Sequence, residues 1–305
     1  MTELTGKIVL GPHRYGKAEN RVVRIVRDTA RHEIRDLNVS SCLRGDFDAA
    51  HLEGDQATVL PTDSQKQTIF SYAKEKGVAF IEDYGLALAR HFVDDVDPVD
   101  SARIEIEEYA WERVVVDGAE HDHTWTRKIR GAHRRAHRAG HRRGPEGMGD
   151  RRTEGSRRPQ VHGLGVRGLP HRPYTVLEPT EDRVMATSLV AQWRFTTTAV
   201  DWDADYAGIR ATMLEVFATL QSKALQQTLF EMGRAVLEKY PFIAEIRLSA
   251  PNKHHFVYDL DRFGVENNNE VFHADDRPYG LIQASVLRED APDAGIAWDP
   301  YTGAV

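Results

Sequence analysis

The sequence predicts an α+β fold in two tandem units, with antiparallel sheets carrying helices on one face. Three observations lead there. Strand-like runs at 7–10, 22–26 and 102–111 bracket two helical stretches, an order typical of sheets with helices segregated to one side. The same order returns in the second half: a strand over 184–200, two helices over 206–240 joined near Ser222, and strands over 243–260 and 279–287. Gln67-Thr68-Ile69-Phe70 and Gln227-Thr228-Leu229-Phe230 echo one another in the two helical regions, which suggests a tandem duplication. The expected units are 1–129 and 130–305.

Each element has a local reason. Lys7 to Leu10 is β-like and runs into Gly11-Pro12-His13-Arg14-Tyr15-Gly16-Lys17, a loop signal that places Lys17 just before the strand of Val22, Val23, Ile25 and Val26. Thr62 with Gln65 three residues on has capping-box spacing, and the helix it opens carries Ile69, Phe70, Tyr72 and Ala73. Ile81, Tyr84, Leu86, Leu88, Phe92 and Val93 mark a second helix. Ile104 and Ile106 alternate with Glu105 and Glu107, as in a half-buried strand. His121-Asp122-His123 follows Asp117-Gly118 and is expected in a polar turn, in a loop role and not as a metal site, because no third ligand is near.

Composition narrows the class. A net charge of -7 over 305 residues does not suggest a dedicated nucleic-acid binder, and 41% hydrophobic content is enough for a packed core. One cysteine, Cys42, excludes an intrachain disulfide framework and fits a reducing compartment. No apolar run approaches membrane-spanning length, no signal pattern follows Met1, and the last residues are not a peroxisomal address. A cytoplasmic protein without nucleic-acid or membrane partners is the expectation.

The stretch Pro251-Asn252-Lys253-His254-His255-Phe256 holds the most chemistry. Two imidazoles, an amide and an ammonium fall between two strand-like runs, where a scaffold can hold them over a ligand. Alone, it reads first as a solvated turn.

Taken together, several stretches resemble the uricase (urate oxidase) family. They are Tyr15-Gly16-Lys17, Asp36-Leu37-Asn38-Val39, Leu43-Arg44-Gly45-Asp46-Phe47, Thr62-Asp63-Ser64-Gln65-Lys66, His121-Asp122-His123-Thr124, Leu225-Gln226-Gln227-Thr228, Pro251-Asn252-Lys253-His254 and Asp276-Arg277-Pro278-Tyr279-Gly280-Leu281-Ile282. The resemblance implies tandem T-fold (tunnelling fold) units, with four subunits closing a barrel. It implies oxidation of urate by O2 and water to 5-hydroxyisourate and hydrogen peroxide, with no metal or organic cofactor. By the same resemblance, Arg183 and Gln226 grip the planar urate anion, with the backbone N–H of Leu225 adding a contact. A guanidinium offers two donors to one edge, and a carboxamide offers a donor and an acceptor to the other. Thr62 and Asp63 resemble residues supplied by a neighbouring subunit. Lys17, Thr62 and His254 resemble a proton relay, in which the lysine needs a lowered pKa to act as base, and His254 either supplies positive charge or orients it. Asn252 resembles the residue that holds O2 or water above the ring. A T-fold enzyme acting on another purine or pterin is a further alternative.

One stretch departs from all this. Residues 130–172 hold twelve Arg, five His and nine Gly against three acidic residues, with no Lys, Phe, Tyr or Trp. Three readings compete: an RNA- or phosphate-binding insert on a T-fold scaffold, a metal helix using the helical spacing of His133, His137 and His141, or a segment translated out of frame. Codons permitted for Val161 to Arg167, shifted by one base, spell Ser-Thr-Gly-Ser-Glu-Phe, which resembles the stretch bearing the family's urate-stacking phenylalanine. Gly147 to Pro159 and Arg130 to His137 spell family-like sequence in the same phase. On the third reading the stacking residue is lost, its place falling at Val166 and Arg167. The family pattern resumes at Pro173-Tyr174-Thr175 with Arg183 in register, and the chain as written is expected to be weakly folded or impaired.

Overall fold

The computed structural model describes residues 4–127, 134–141, 158–161, 174–176 and 184–298; for 134–141 and 158–161 it describes the backbone. The order begins β1 (Ile8–Ala18), β2 (Asn20–Val26), β3 (Glu33–Gly45), α1 (Asp48–Leu52), α2 (Thr62–Glu75), α3 (Ile81–Asp94), β4 (Val99–Tyr109), β5 (Trp111–Val116) and β6 (Ala119–Arg127). It continues β7 (Arg134–His141), β8 (Arg158–Val161), β9 (Val184–Thr187), β10 (Val190–Phe195), α4 (Trp202–Thr219), α5 (Leu225–Lys239), β11 (Ile243–Val257) and β12 (Phe272–Arg288).

One sheet runs β7-β4-β3-β1-β12-β11-β9-β8, with β2 also on β3 and β10 also on β11; β5 and β6 form a separate ribbon. The first and last long strands, β1 and β12, pair antiparallel at the centre, so both halves of the chain share this sheet. β7 lies beyond the expected boundary at 129/130, yet it pairs with β4 of the first half.

The helices cover one face, as expected. Gly280 and Val286 are six residues apart on an evenly paired part of β12, so they point the same way. A Cβ on Gly280 would meet Thr62 at the start of α2, and Val286 packs against Gly233 of α5. The core between sheet and helices includes Leu37, Val39 and Leu43 from β3, Ile104 and Ile106 from β4, Ile69, Leu88 and Phe92 from α2 and α3, and Leu229 and Val236 from α5. Tyr84 is buried and donates to the Ile69 carbonyl at 2.6 Å, tying α3 to α2. The other face is more polar: Arg14 donates to Gln283 at 2.6 Å, and Gln283 to Ser249 at 3.1 Å, across three strands.

Five local expectations are corrected. Gly11 to Lys17 is not a loop. It is the body of β1, bulged between Leu10 and His13, which accommodates the proline without leaving the sheet. His121 to His123 lies in β6, because the turn closes earlier, at Asp117-Gly118, where both residues have positive φ. Pro251 to Phe256 is not a turn but the interior of β11. By element order the four-residue echo does not stand at equivalent places: Gln67–Phe70 lies in α2, which α3 follows, and Gln227–Phe230 in α5, which follows α4. What the two share is burial, since Thr68 donates to the Ser64 carbonyl at 2.9 Å while Thr228 donates to Ser222 Oγ at 2.7 Å. Finally, His137 and His141 lie on extended β7, paired residue by residue with β4, so a helical metal site is excluded there; His133 lies outside the described residues. Backbone pairing to an open sheet edge asks little of side-chain type, which lets an Arg-rich stretch take this place.

At Gly16, β1 lies directly against the β3 backbone. A Cβ there would fall 1.8 Å from the Ser41 carbonyl oxygen. Gly16→Ala is expected to cost about 3 kcal/mol or more in urea unfolding, as overpacking against backbone cannot be relieved by a rotamer change.

Candidate active site

Pairing across three strands builds the site. Lys17 of β1 is opposite Gly280 of β12, and Gly280 is opposite Asn252 of β11. Side chains of laterally paired residues share a face, so Lys17, Gly280 and Asn252 form one row beneath the helices. Thr62 stands over the middle of this row: a Cβ on Gly280 would lie 3.0 Å from Thr62 Oγ1. Glycine therefore admits the threonine by having no side chain. The row continues to Thr187 of β9, opposite Asn252. Thr187 is buried, and among the described residues its hydroxyl has no hydrogen-bond partner. Nothing in the sequence singled out Thr187; an ordinary β-branched strand residue carries no local signal.

Beyond Asn252 the ladder shifts. β11 advances from Asn252 to His254 while β12 retreats from Gly280 to Asp275. Asp276-Arg277-Pro278-Tyr279 takes up the difference, as proline cannot donate to a ladder. This irregularity accompanies the central contact: Lys17 Nζ lies 2.7 Å from His254 Nε2, between residues 237 apart in sequence. The His254 ring is also 5.6 Å from that of Phe256.

Lys17 is 2% exposed. Burial, and then the positive charge of Lys66, pull its pKa from 10.5 to about 8, against the opposing pull of Asp63 and Asp275. The charge that lowers it beyond burial is thus Lys66, one turn along α2 from Thr62, and His254 is left to orient the amine. Burial alone would raise Asp63, but the hydrogen bond and charge of Lys66, with Gln67 and Lys17, hold its carboxyl below the usual range. The Lys66–Asp63 ion pair is 2.5 Å long.

Thr62 is not a capping residue. It is the first residue of α2, Pro61 holds the cap position, and the side chain makes no cap hydrogen bond. Gln65, expected to close a capping box, is instead buried and accepts from Ser41. Asn252 lies in β11 as part of the row. Leu225 and Gln226 are the first two residues of α5, both buried, and neither takes part in the hydrogen bonds that join Lys17 to its neighbours. Thr62 and Asp63 thus stand with Lys17, His254 and Asn252 within one chain, not apart from them. Tyr174 and Thr175, where the family pattern resumes, dock on α2: Tyr174 donates to Glu75 at 3.3 Å, and Thr175 is 2.9 Å from Ser64. Arg183 and the expected stacking positions Val166 and Arg167 lie outside the described residues. Among the described residues no group of three or more His, Cys, Asp or Glu is placed to hold a metal ion, and no helix is long and apolar enough to cross a membrane.

The chain is similar to known proteins over most of its length. The uricase family model matches residues 13–134 and 164–283. The chain belongs to the uricase family. It is 45% identical to a uricase of Arthrobacter globiformis over 97% of this chain and 96% of that one. It is 31% identical to a uricase of Dictyostelium discoideum over 90% of this chain and 96% of that one. A crystal structure of the Arthrobacter globiformis uricase covers 94% of this chain and 97% of its own at 45% identity, with a TM-score of 0.44. Oxidation of urate is the activity that family membership carries. The family match leaves out 135–163, inside the Arg-rich stretch.

The depressed pKa of Lys17 links it to stability. Its folded value, about 8, is below its unfolded value, so protonated Lys17 penalises the native state below pH 8, and the penalty disappears as pH rises from about 8 to 10.5. Lys17→Met is expected to raise stability at pH 7 by up to about 3 kcal/mol. In chemical unfolding across the pH range, that advantage should shrink above pH 8.

Proposed function

We propose that the chain oxidises urate through a site in which Lys17 is the base, Thr62 and His254 relay its proton, and Asn252 holds O2 or water. Urate gives two electrons and two protons to O2, which leaves as hydrogen peroxide, and water adds to the oxidised ring to give 5-hydroxyisourate. The observation that carries this reading is a buried lysine, pKa about 8, whose amine is 2.7 Å from His254. Such an amine gains its unprotonated, proton-accepting form as pH rises through about 8, well below an ordinary lysine, and His254 fixes its direction. Thr62 over Gly280 and Asn252 in the same row put a hydroxyl and an amide beside it. Arg183, Gln226 and the Leu225 N–H bind the urate edge, and Asp63 steadies Lys66 near the base.

The chain works as a homotetramer with sites between subunits, in the cytoplasm. In favour of the shared site is the distribution of the residues. Lys17, Thr62, Asp63, Asn252 and His254 cluster around β1, β12 and β11, whereas Leu225 and Gln226 head α5. One cluster from each of two chains would complete a site. Activity is measured by loss of the ultraviolet absorbance of urate with peroxide formed in equal amount. The rate should rise with pH around a midpoint near 8 as Lys17 loses its proton. Lys17→Met should lower kcat by about 100-fold or more at little cost in KM. A rate that ignores both pH and Lys17 would refute the assignment of the base.

The Arg-rich stretch impairs this activity, because it is out of frame with the family sequence. Its support is the family match, which breaks off at 134 and resumes at 164. A chain with residues 130–172 re-read in the shifted frame should oxidise urate at least about 10-fold faster than the chain as written, and should melt higher. Equal rates and melting points would exclude the frame-shift reading. Salt-sensitive RNA binding lost on deleting the stretch would favour the insert reading instead.

A further inference from the structure

We propose that Ser41 and Gln65 are a buried positioning pair that sets where the Lys17 amine stands relative to Thr62. The proposal rests on the reading of Lys17 as the base. β1 and β3 are directly paired at Tyr15 and Leu43. Two residues further along β1, side chains hold the main chain of Lys17. Its N–H donates to Ser41 Oγ at 3.2 Å, and its carbonyl accepts from Asn20 Nδ2 at 3.1 Å. Asn20 also donates to the Val39 carbonyl at 2.8 Å, so β3 is held by the same amide.

Ser41 passes the connection on. A hydroxyl has one proton and two lone pairs. With a lone pair engaged by Lys17, its proton goes to Gln65 Oε1 at 2.8 Å, in preference to the Lys17 carbonyl at 3.5 Å. Gln65 Nε2 then donates to the Leu60 carbonyl at 3.4 Å. Tyr15 donates to that same carbonyl at 3.0 Å, and Pro61 and Thr62 follow directly. A continuous run of hydrogen bonds therefore leads from the Lys17 backbone to the peptide that launches Thr62. Asn20 and Gln65 are 0% exposed and Ser41 is 4% exposed, so water cannot substitute for a missing member. Proton transfer is sensitive to displacements of about half an ångström, and this run bridges the two elements whose spacing decides it.

The test uses the full chain with 13C-labelled lysine, its Lys17 signal assigned by loss in Lys17→Met. Two quantities are followed: the Lys17 titration midpoint, near pH 8 in the parent, and the kinetics of urate loss. Ser41→Ala and Gln65→Leu should each move the midpoint up by about one unit, toward 10.5, as the amine is released toward solvent. They should lower kcat about 10-fold with KM within about 2-fold, and Ser41→Thr, which keeps the hydroxyl, should restore both. Lower melting temperatures with an unmoved Lys17 midpoint and an unchanged kcat would overturn the proposal, as a merely structural pair behaves so. Should Ser41→Ala not fold, Ser41→Cys keeps the volume and weakens the donor, with the same expectations. Should no variant oxidise urate, the parent included, the urate reading fails separately, and the titration alone decides the positioning role.

Discussion

A lysine ammonium removed from water is the constraint on which the rest of the site depends. An unpaired buried charge is costly, and a fold tolerates it only with a partner or a lowered pKa. Lys17 has both: His254 Nε2 at 2.7 Å and a pKa of about 8. Both require β1, β12 and β11 to lie side by side in one register, since the two residues are far apart in the chain. The central pairing of first and last strands is therefore a condition for the chemistry as much as for the fold. Gly280 between them, the buried serine and glutamine behind them, and Lys66 with Asp63 on the first turn of α2 all serve the same small volume.

The Arg-rich stretch bears on the structure at a different place. Its two described pieces, β7 and β8, are the outer strands of the long sheet, far from its centre. The Lys17 row is made by strands that the family match covers. The core packed under α2, α3 and α5 is likewise assembled from matched sequence, apart from Ala284 and Val286 at the end of β12. This geometry separates a centre that keeps family character from edges that do not. A sheet edge is also where another chain can add strands, so an abnormal edge affects association before it affects the interior.

Sequence reading succeeded where signals are local and failed where they are not. The second pair of helices came out close to its observed limits because the break near Ser222 is a local signal. Gly11 to Lys17 reads as a loop, and Pro251 to Phe256 on its own as a turn, because glycine, proline and polar residues ordinarily end strands. Here a bulge in β1 and the excursion at Asp276–Tyr279 in β12 absorb them. Thr62 had the spacing of a cap, but Pro61 took that place and freed the threonine for the site. Thr187 and Ser41 gave no signal at all, as their importance comes only from what lies on the next strand.

The sequence by itself determined the α+β class, the helices, the family and the residue types of the candidate site: a lysine, a threonine, an amide and a histidine. Spaced motifs record chemistry directly, so these could be read without coordinates. Only the tertiary structure decided that Lys17, Thr62, Asn252 and His254 meet within one chain, that Gly280 makes the room, and that Lys66 lowers the pKa of Lys17 while His254 contacts its amine. The reason is that a sheet makes neighbours by lateral register. Register is set by bulges and pairing over the whole strand, and no short stretch of sequence contains it.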